Sequence, residues 1–213
     1  MNPRHTAVGA PPAPISLAKT PIVPSEGALG GQLVSRWGGR FYRIEGVEGM
    51  APFFSVLVSG SDHWLFGCSN GAVALGRRSA EESLVPYLSQ DRLVDSASDS
   101  GSLVIAHVTT RTGRYLWEPF RDSSRLAYPT QQRFYRSVLG DRLVWEEVNR
   151  ELKLSCAVEW SSSERFGFVR SVRVANEADE PVQVYLVEGM QNLLPPGVDL
   201  GLQREMSCLA DAY

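Results

Sequence analysis

A ten-residue stretch, ELKLSCAVEW (Glu151 to Trp160), constrains the fold of this 213-residue chain more than any other segment. Every second residue from Leu152 onward is apolar, and the residues between them are charged or small. A period of two places the apolar side chains on one face of a half-buried β-strand. The segment RLVWEEV (Arg142 to Val148) precedes it, and Asn149-Arg150 between the two has the length of a tight hairpin loop. The pattern predicts two antiparallel strands that share a buried face.

The segment from Ser162 to Pro195 continues the same alternation. One face of its first half carries Phe166, Phe168, Val172 and Val174. The cluster NEADEP consists of turn formers, and PVQVYLV then resumes the alternation. Since the proline and the acidic residues of the turn prevent a continuous helix, the segment predicts a long hairpin. Arg170 falls on the apolar face of this hairpin, which packing alone does not explain.

Shorter segments of the same kind occur from residue 38 onward, separated by Gly and Ser. They are FYRIEG (Phe41 to Gly46), FFSVLVS (Phe53 to Ser59), DHWLFG (Asp62 to Gly67), GAVALG (Gly71 to Gly76), DRLVDS (Asp91 to Ser96), LVIAHV (Leu103 to Val108) and RFYRSVL (Arg133 to Leu139). Such spacing is typical of stacked antiparallel sheets. Helical features occur at Ser79 to Leu88, which opens with a capping box but contains Pro86, and at Leu202 to Tyr213.

The sequence therefore predicts an all-β fold, a two-layer antiparallel β-sandwich with one or two short helices and an irregular amino-terminal arm. We expect its core to include one set of alternating side chains. They are Leu152, Leu154, Val158, Trp160, Phe168, Val172, Val174, Val184 and Leu186.

Composition divides the chain into three parts. Residues 1–37 are rich in Pro, Ala and Gly and predict the irregular arm, which is either loosely draped or packed on a neighbouring domain or subunit. Residues 38–201 form the predicted sandwich, and residues 202–213 begin a helix. No stretch resembles a signal-peptide core or approaches the ~20 apolar residues that span a bilayer. We expect a cytoplasmic protein without a membrane partner, whose cysteines Cys68, Cys156 and Cys208 are free thiols.

Charge and motifs argue against several functions. The formal net charge of −3 gives no support to nucleic-acid binding. The cysteines and histidines lack metal-ligand spacing, and no P-loop, GxSxG or HExxH motif occurs. Glu146 and Glu147 are adjacent on a predicted strand, so they point to opposite faces and do not form the facing carboxylate pair of a glycosidase. The sequence predicts no catalytic residue, no metal site and no cofactor.

Trp117 and Glu118 are the first candidates for binding. They stand in RYLWEPF (Arg114 to Phe120), near a predicted strand end and a polar loop. A flat indole face stacks on the apolar face of a sugar ring, and polar neighbours bind its hydroxyl groups. The pair therefore fits a carbohydrate site or an interdomain contact, and core packing of Trp117 is the alternative.

Four polar residues of the long hairpin are further candidates. Arg165 and Arg170 are either solvated or locally paired charges at a strand end, or they provide a buried guanidinium that orders a loop or faces a partner domain. Gln191 and Asn192 lie in GMQNLLPPG, where the strand leads into a Pro-Pro segment, and their amides are able to bind exposed backbone ends.

These segments also carry a resemblance to a known family, which covers roughly Gly38 to the end of the chain. The matching segments are SNGAVALGR, LWEPF, VLGDRLVWEEVNRELKLSCAVEWSSSERFGFVR and VANEADEPVQVYLVEGMQNLLPPG, which includes a strand, N-x-x-D-x-P, strand pattern. They resemble the amino-terminal β-sandwich, or supersandwich, region of large carbohydrate-active proteins related to cellobiose and other disaccharide phosphorylases and to cyclic glucan synthases.

The resemblance implies a non-catalytic sandwich domain that packs on a carboxy-terminal helical barrel and helps to shape its carbohydrate site. In that family the catalytic acid and the phosphate-binding residues belong to the barrel, so no catalytic residue is transferred to this chain. The alternative is a stand-alone scaffold or interaction domain with no sugar ligand. If the domain continues past Tyr213, its open strand edges predict self-association, most simply as a homodimer.

Overall fold

This computed structural model describes residues 16–17, 20–21, 30–195 and 197–205. The described residues contain fourteen β-strands and three short α-helices. The strands are β1 Ser16–Leu17, β2 Thr20–Pro21, β3 Gly30–Arg36, β4 Gly39–Glu45, β5 Phe54–Leu57, β6 His63–Cys68, β7 Val73–Arg77, β8 Ser102–Thr109, β9 Arg114–Trp117, β10 Thr130–Ser137, β11 Arg142–Asn149, β12 Leu154–Ser163, β13 Gly167–Asn176 and β14 Gln183–Met190. The helices are α1 Gln90–Val94, α2 Asp122–Ala127 and α3 Leu200–Glu205, and single 3-10 turns form at Val47–Gly49 and Ala80–Glu82.

The strands form antiparallel sheets, which confirms the predicted all-β class. The largest sheet has the order β13-β12-β11-β10-β4-β3, and two three-stranded sheets have the orders β14-β8-β9 and β5-β6-β7. The pair β1-β2 forms a separate ribbon. One hydrophobic core joins side chains of the six-stranded sheet to those of both three-stranded sheets, with Trp145 and Leu65 among its members. The arrangement is sandwich-like, since apolar faces of different sheets meet in a common core.

The central hairpin confirms the predicted alternation and corrects its turn. Leu154, Val158 and Trp160 are buried in the core, as expected. The last pair of the hairpin is Asn149 with Leu154, so the loop has four residues rather than two. The loop is longer because the Asn149 side chain caps it, accepting hydrogen bonds from the backbone N–H groups of residues 151 and 152. Leu152 thus lies in the turn, although it is buried as predicted.

Three predictions are wrong. Ser162 to Pro195 does not form a hairpin, because β13 pairs with β12 in the six-stranded sheet and β14 pairs with β8 in another sheet. Asp91 to Ser96 was expected as a strand, but α1 occupies most of it and places Leu93 in a small apolar cluster with Cys68 and Ala72. The helix predicted at Ser79 to Leu88 is reduced to one 3-10 turn, because the segment returns to the sheet and the Leu84 N–H donates to the Leu75 carbonyl. In segments 91–96 and 79–88, tertiary contacts override the local secondary-structure propensity.

The boundary of the predicted arm at residue 37 is also wrong. Strand β3 lies within residues 1–37 and pairs with β4 along its whole length. The hairpin between them turns at Trp37 and Gly38, whose φ angles of 47° and 71° are those of a tight primed turn. Most of the arm before Gly30, and the predicted helix after Glu205, fall outside the described residues.

The opposite face of the six-stranded sheet carries ion pairs. Glu146 binds Arg36 at 2.7 Å and Arg133 at 3.2 Å, and Glu159 binds Arg142 at 2.8 Å and Arg173 at 2.7 Å. Both carboxylates are buried beneath the arginine side chains. Glu147 points to the other side, into the core, as the adjacent positions on a strand require.

Candidate functional site

A polar cleft of about 510 Å³ opens at one end of the sandwich, and we call it the Phe120 cleft. The loops around the first 3-10 turn, the β6–β7 turn, the end of α1 and the start of α2 form its walls. Its lining residues are Val47, Glu48, Met50, Pro52, Ser69, Asn70, Val94, Asp95, Ala97, Ser98, Phe120, Arg121, Asp122, Ser123, Arg125 and Gln132. Concave sites with converging polar groups are where proteins hold small ligands.

A buried carboxylate holds one wall of the cleft in place. Glu147 is 0% exposed, and its two oxygens accept three hydrogen bonds. The donors are the Trp117 indole Nε1 at 2.9 Å, the Phe120 backbone N–H at 2.8 Å and the Gln132 Nε2 at 2.8 Å. Burial raises the pKa of Glu147, and the three hydrogen bonds act to lower it. Both carboxylate oxygens have donors within the protein, so the role of Glu147 is to fix the groups around it.

The wall that Glu147 holds is the Pro119–Arg121 loop. Phe120 has a φ of 68°, a left-handed conformation that costs a bulky residue of order 1–3 kcal/mol. The hydrogen bond from its N–H to Glu147 offsets part of that cost. Phe120 is half-buried, packs against the main core and lines the cleft beside Arg121. A non-glycine residue held in this conformation at a cleft is typical of functional sites.

The opposite wall is tied to α1 by Asn70. Its Nδ2 donates to the Val94 carbonyl at 2.7 Å, and its Oδ1 accepts from the Ala72 N–H at 3.2 Å. The amide side chain thus joins the β6–β7 turn to the end of the helix. Both Asn70 and Val94 line the cleft, so both walls are fixed by side chains that bond to backbone groups.

The charges of the cleft nearly cancel. Its lining contains three carboxylates, Glu48, Asp95 and Asp122, and two guanidinium groups, Arg121 and Arg125. Arg125 binds Asp122 at 3.1 Å and the Glu48 carbonyl at 3.2 Å. Arg121 donates to the Ala97 carbonyl at 3.5 Å and, among the described residues, forms no ion pair. Serine hydroxyls and two side-chain amides complete the polar lining.

Trp117 is not a surface platform for a sugar. It is 0% exposed, so the core-packing alternative is correct and the surface interpretation is wrong. Its indole lies in the main hydrophobic core, and its N–H is used by Glu147. Glu118 is half-buried next to the cleft, where its backbone N–H donates to Ser124 Oγ at 2.9 Å. Trp117 therefore contributes to the cleft indirectly, through its hydrogen bond to Glu147, which in turn binds Phe120.

Gln191 and Asn192 bind the loop at residues 97–99, part of which lines the cleft. Gln191 Nε2 donates to the Ser98 carbonyl at 3.1 Å, and Asn192 Nδ2 donates to the Asp99 carbonyl at 2.6 Å. The same loop contributes Ala97 and Ser98 to the lining. The two amides thus bind exposed backbone groups and reach the cleft only through this loop.

Arg170 provides a largely buried guanidinium, and Arg165 does not. The Arg170 side chain is 11% exposed, donates from Nε to Ser102 Oγ at 2.7 Å and binds Glu188 of β14. It thereby joins the edges of the two layers. Arg165 is exposed at the β12–β13 turn, with its guanidinium carbon 5.1 Å from the centre of the Phe166 ring. Neither arginine lines the Phe120 cleft.

Sequence reasoning missed the residues that form the cleft, above all Phe120, Arg121, Asn70 and Glu147. One signal for Glu147 was present. It shares the strand parity of Leu143 and Trp145, which places a carboxylate on the apolar face of β11. A charged group on the buried face of a strand needs hydrogen-bond partners, so the position of Glu147 in the alternation already indicated an unusual role.

Comparison with known protein families finds no match for this chain, and comparison with curated proteins finds no significant similarity. Within the described ranges, no group of three or more His, Cys, Asp or Glu side chains is arranged to hold a metal ion. In the same part of the chain, each helix is too short or too polar to cross a membrane.

Proposed function

We propose that this chain is a non-catalytic, carbohydrate-associated sandwich domain whose Phe120 cleft binds a neutral sugar. The observation that carries the proposal is the polar cleft in which a buried carboxylate, Glu147, binds the N–H of Phe120 in a left-handed conformation. Together with the resemblance to disaccharide phosphorylases, it supports a domain of a larger glycoside phosphorylase- or hydrolase-like enzyme. There the domain packs on a helical barrel and contributes to carbohydrate binding.

The lining of the cleft favours a neutral polyhydroxyl ligand. Serine hydroxyls, amides and charged groups match the alternating donors and acceptors of a sugar, and an aromatic ring offers a surface for its apolar face. The lining carboxylates outnumber the arginines by one, so the cleft has no excess of positive charge for a phosphate or a carboxylate ligand. A neutral sugar therefore fits better than a sugar phosphate.

The site is suited to binding rather than to glycosidic bond cleavage. Glycoside hydrolysis needs a raised-pKa acid that reaches the leaving oxygen. Burial raises the pKa of Glu147, but this carboxyl is fully buried and accepts the hydrogen bond of the Phe120 N–H. Glu147 cannot touch a ligand in this position, so it acts as a positioning residue.

A second candidate function is that of a protein-interaction scaffold without a sugar ligand. The sheet β14-β8-β9 favours it, because Leu116, Tyr185 and Val187 are exposed on that sheet. Exposed apolar patches often mark contact surfaces. This function requires no ligand in the Phe120 cleft, which separates it from the first.

Isothermal titration calorimetry with glucose, cellobiose, cellotetraose and glucose 1-phosphate tests the proposal. We expect the neutral sugars to bind, with glucose 1-phosphate no tighter than glucose. Phe120→Ala removes the aromatic wall and should weaken binding about tenfold or more. Phe166→Ala, at a ring that is exposed outside the cleft, is the matched control and should leave affinity unchanged. No heat of binding with any of the four ligands would favour the scaffold function.

A further inference from the structure

Strand β14 forms a free edge of the β14-β8-β9 sheet. In the part of the chain that the structure describes, it pairs only with β8, from Gln183 to Met190, without a break in register. Tyr185 is 61% exposed and Val187 is 64% exposed. The other side of this eight-residue strand thus presents unpaired backbone N–H and C=O groups to any strand that fits it.

The edge lacks the features that usually prevent pairing. Strand β14 contains no proline and no lysine, and its continuous register with β8 leaves no bulge. Its one charged residue, Glu188, is already neutralised by Arg170 of β13. The edge is therefore unbroken in register, and its one carboxylate is paired with an arginine.

Leu186 shows that the edge is incompletely covered. It has the same parity as Val184 and Met190, which pack on the core, but it is 40% exposed. The sequence predicts that Leu186 is buried, and that prediction is wrong. The reason is its place on an edge strand, where the next strand that would cover it is absent from the described sheet.

We propose that β14 pairs with the β14 of a second copy of this chain, antiparallel and around a two-fold axis at Leu186. This inference is independent of the proposed sugar site and goes beyond it. The pairing would join two three-stranded sheets into one of six strands. It would also cover the exposed part of Leu186.

The sequence of the strand fits a copy of itself. With the axis at Leu186, Tyr185 lies opposite the partner's Val187, and Val187 lies opposite the partner's Tyr185. Aromatic and β-branched residues are a favourable cross-strand pair, and the symmetry forms it twice. The axis sets Leu186 opposite the partner's Leu186, an apolar contact. The neutralised Glu188 lies opposite the partner's Val184, so no like charges meet.

The joined sheet would also have a continuous apolar outer face. Tyr185 and Val187 are directly opposite His107 and Ile105 of β8, and His107 is opposite Leu116 of β9. The rings of Tyr185 and His107 lie 6.2 Å apart. Pairing at β14 places the two apolar faces side by side, as in an isologous interface.

Analytical ultracentrifugation of the full chain tests the pairing, and we expect a monomer–dimer equilibrium. Leu186→Lys places two like charges opposite each other across the axis and should weaken the dimer about tenfold or more. Val56→Lys is the matched control, since Val56 is similarly exposed on β5, the outer strand of another sheet. It should leave the equilibrium unchanged. A monomer at every concentration, or equal weakening by both variants, would overturn the proposal.

A cysteine variant tests the register. Leu186→Cys, in a Cys208→Ser background, should form a covalent dimer under copper phenanthroline, because the axis brings the two sulfur atoms together. Val56→Cys in the same background should remain monomeric. Equal cross-linking of both variants would contradict the Leu186 axis. Neither result depends on a sugar, so failure here is distinct from failure of the sugar-binding proposal.

Discussion

The Trp117 indole donates a 2.9 Å hydrogen bond to Glu147, and this bond joins strands of different sheets inside the core. Trp117 ends β9 of a three-stranded sheet, and Glu147 lies on β11 of the six-stranded sheet. The second oxygen of Glu147 accepts from Phe120 and Gln132, both of which line the cleft. One buried carboxylate therefore connects the two sheets to one wall of the Phe120 cleft.

Replacing Glu147 should affect both stability and binding. Glu147→Gln keeps the side-chain shape but turns one acceptor into a donor that faces existing donors. We expect the free energy of unfolding to fall by about 1–3 kcal/mol, the cost of unsatisfied buried groups, and sugar affinity to fall with it. Urea unfolding and calorimetry measure the two effects. Glu118→Gln, at the half-buried neighbour of Trp117, is the control. Equal effects of both variants would show that Glu147 does not position the cleft wall.

The Glu159 ion pairs predict a pH-dependent stability. Burial acts to raise the pKa of Glu159, but hydrogen bonds and charges from Arg142 and Arg173 together hold it below the ordinary value of 4.5. A folded-state pKa below the unfolded one gives stability that is present above pH 4.5 and is lost as the pH falls through the folded-state pKa. The difference in unfolding free energy between the native chain and Glu159→Gln should therefore shrink below pH 4.5.

The measurement for this second prediction is urea unfolding from pH 7 to pH 3. Glu164→Gln, at an exposed carboxylate on the β12–β13 turn, is the control and should leave the free energy of unfolding unchanged. A difference for Glu159→Gln that stays constant across the acid range would show that its ion pairs do not set the pKa.

The loop that Gln191 and Asn192 brace should depend on Gly101. Gly101 has a φ of 93°, and a Cβ there would lie 2.6 Å from the Gly71 carbonyl oxygen. Gly101→Ala should therefore cost about 1–3 kcal/mol of unfolding free energy through backbone strain and should weaken ligand binding in the cleft. Gly60→Ala has open space around its Cβ and should be nearly neutral. Equal melting temperatures for the two variants would contradict this account of the loop.

The buried face of β12 predicts a large effect of a small substitution. Leu154 is fully buried in the main core, so Leu154→Ala should lower the free energy of unfolding by about 2–5 kcal/mol. Leu139→Ala removes the same atoms from a side chain that is exposed to solvent and should change it little. Chemical denaturation of both variants compares them directly, and a loss below about 0.5 kcal/mol for Leu154→Ala would place that face in solvent.

Local periodicity was enough to predict the all-β fold, because the alternation of apolar residues in β12 identifies its buried face without information on other strands. It failed where distant contacts decide. Segment 91–96 became helical because it buries Leu93, and β3 was hidden in a Pro- and Gly-rich composition. Cys68 and Ala72, which pack with Leu93, lie more than twenty residues away from it in the sequence. The turn that pairs β3 with β4 depends on the positive φ angles of Trp37 and Gly38, which the residue pattern does not indicate.

The candidate site was less accessible to sequence reasoning than the fold. The segment at Trp117 was identified, but the role of the indole depends on Glu147, thirty residues away. The positive φ of Phe120 follows from that contact and from no local motif. Gln191 and Asn192 bind backbone groups 93 residues away, so the sequence indicated their chemistry but not their target.

The measurement that tests the central claim most directly is a ¹H–¹⁵N NMR titration of the chain with cellotetraose. The account predicts that the largest chemical-shift changes occur at the amides of Asn70, Ser98, Phe120 and Arg121, which line the two walls of the cleft. It also predicts that the amides of β14 remain unperturbed by the sugar. Unchanged cleft amides at saturating cellotetraose, or changes confined to another surface, would contradict a carbohydrate site in the Phe120 cleft.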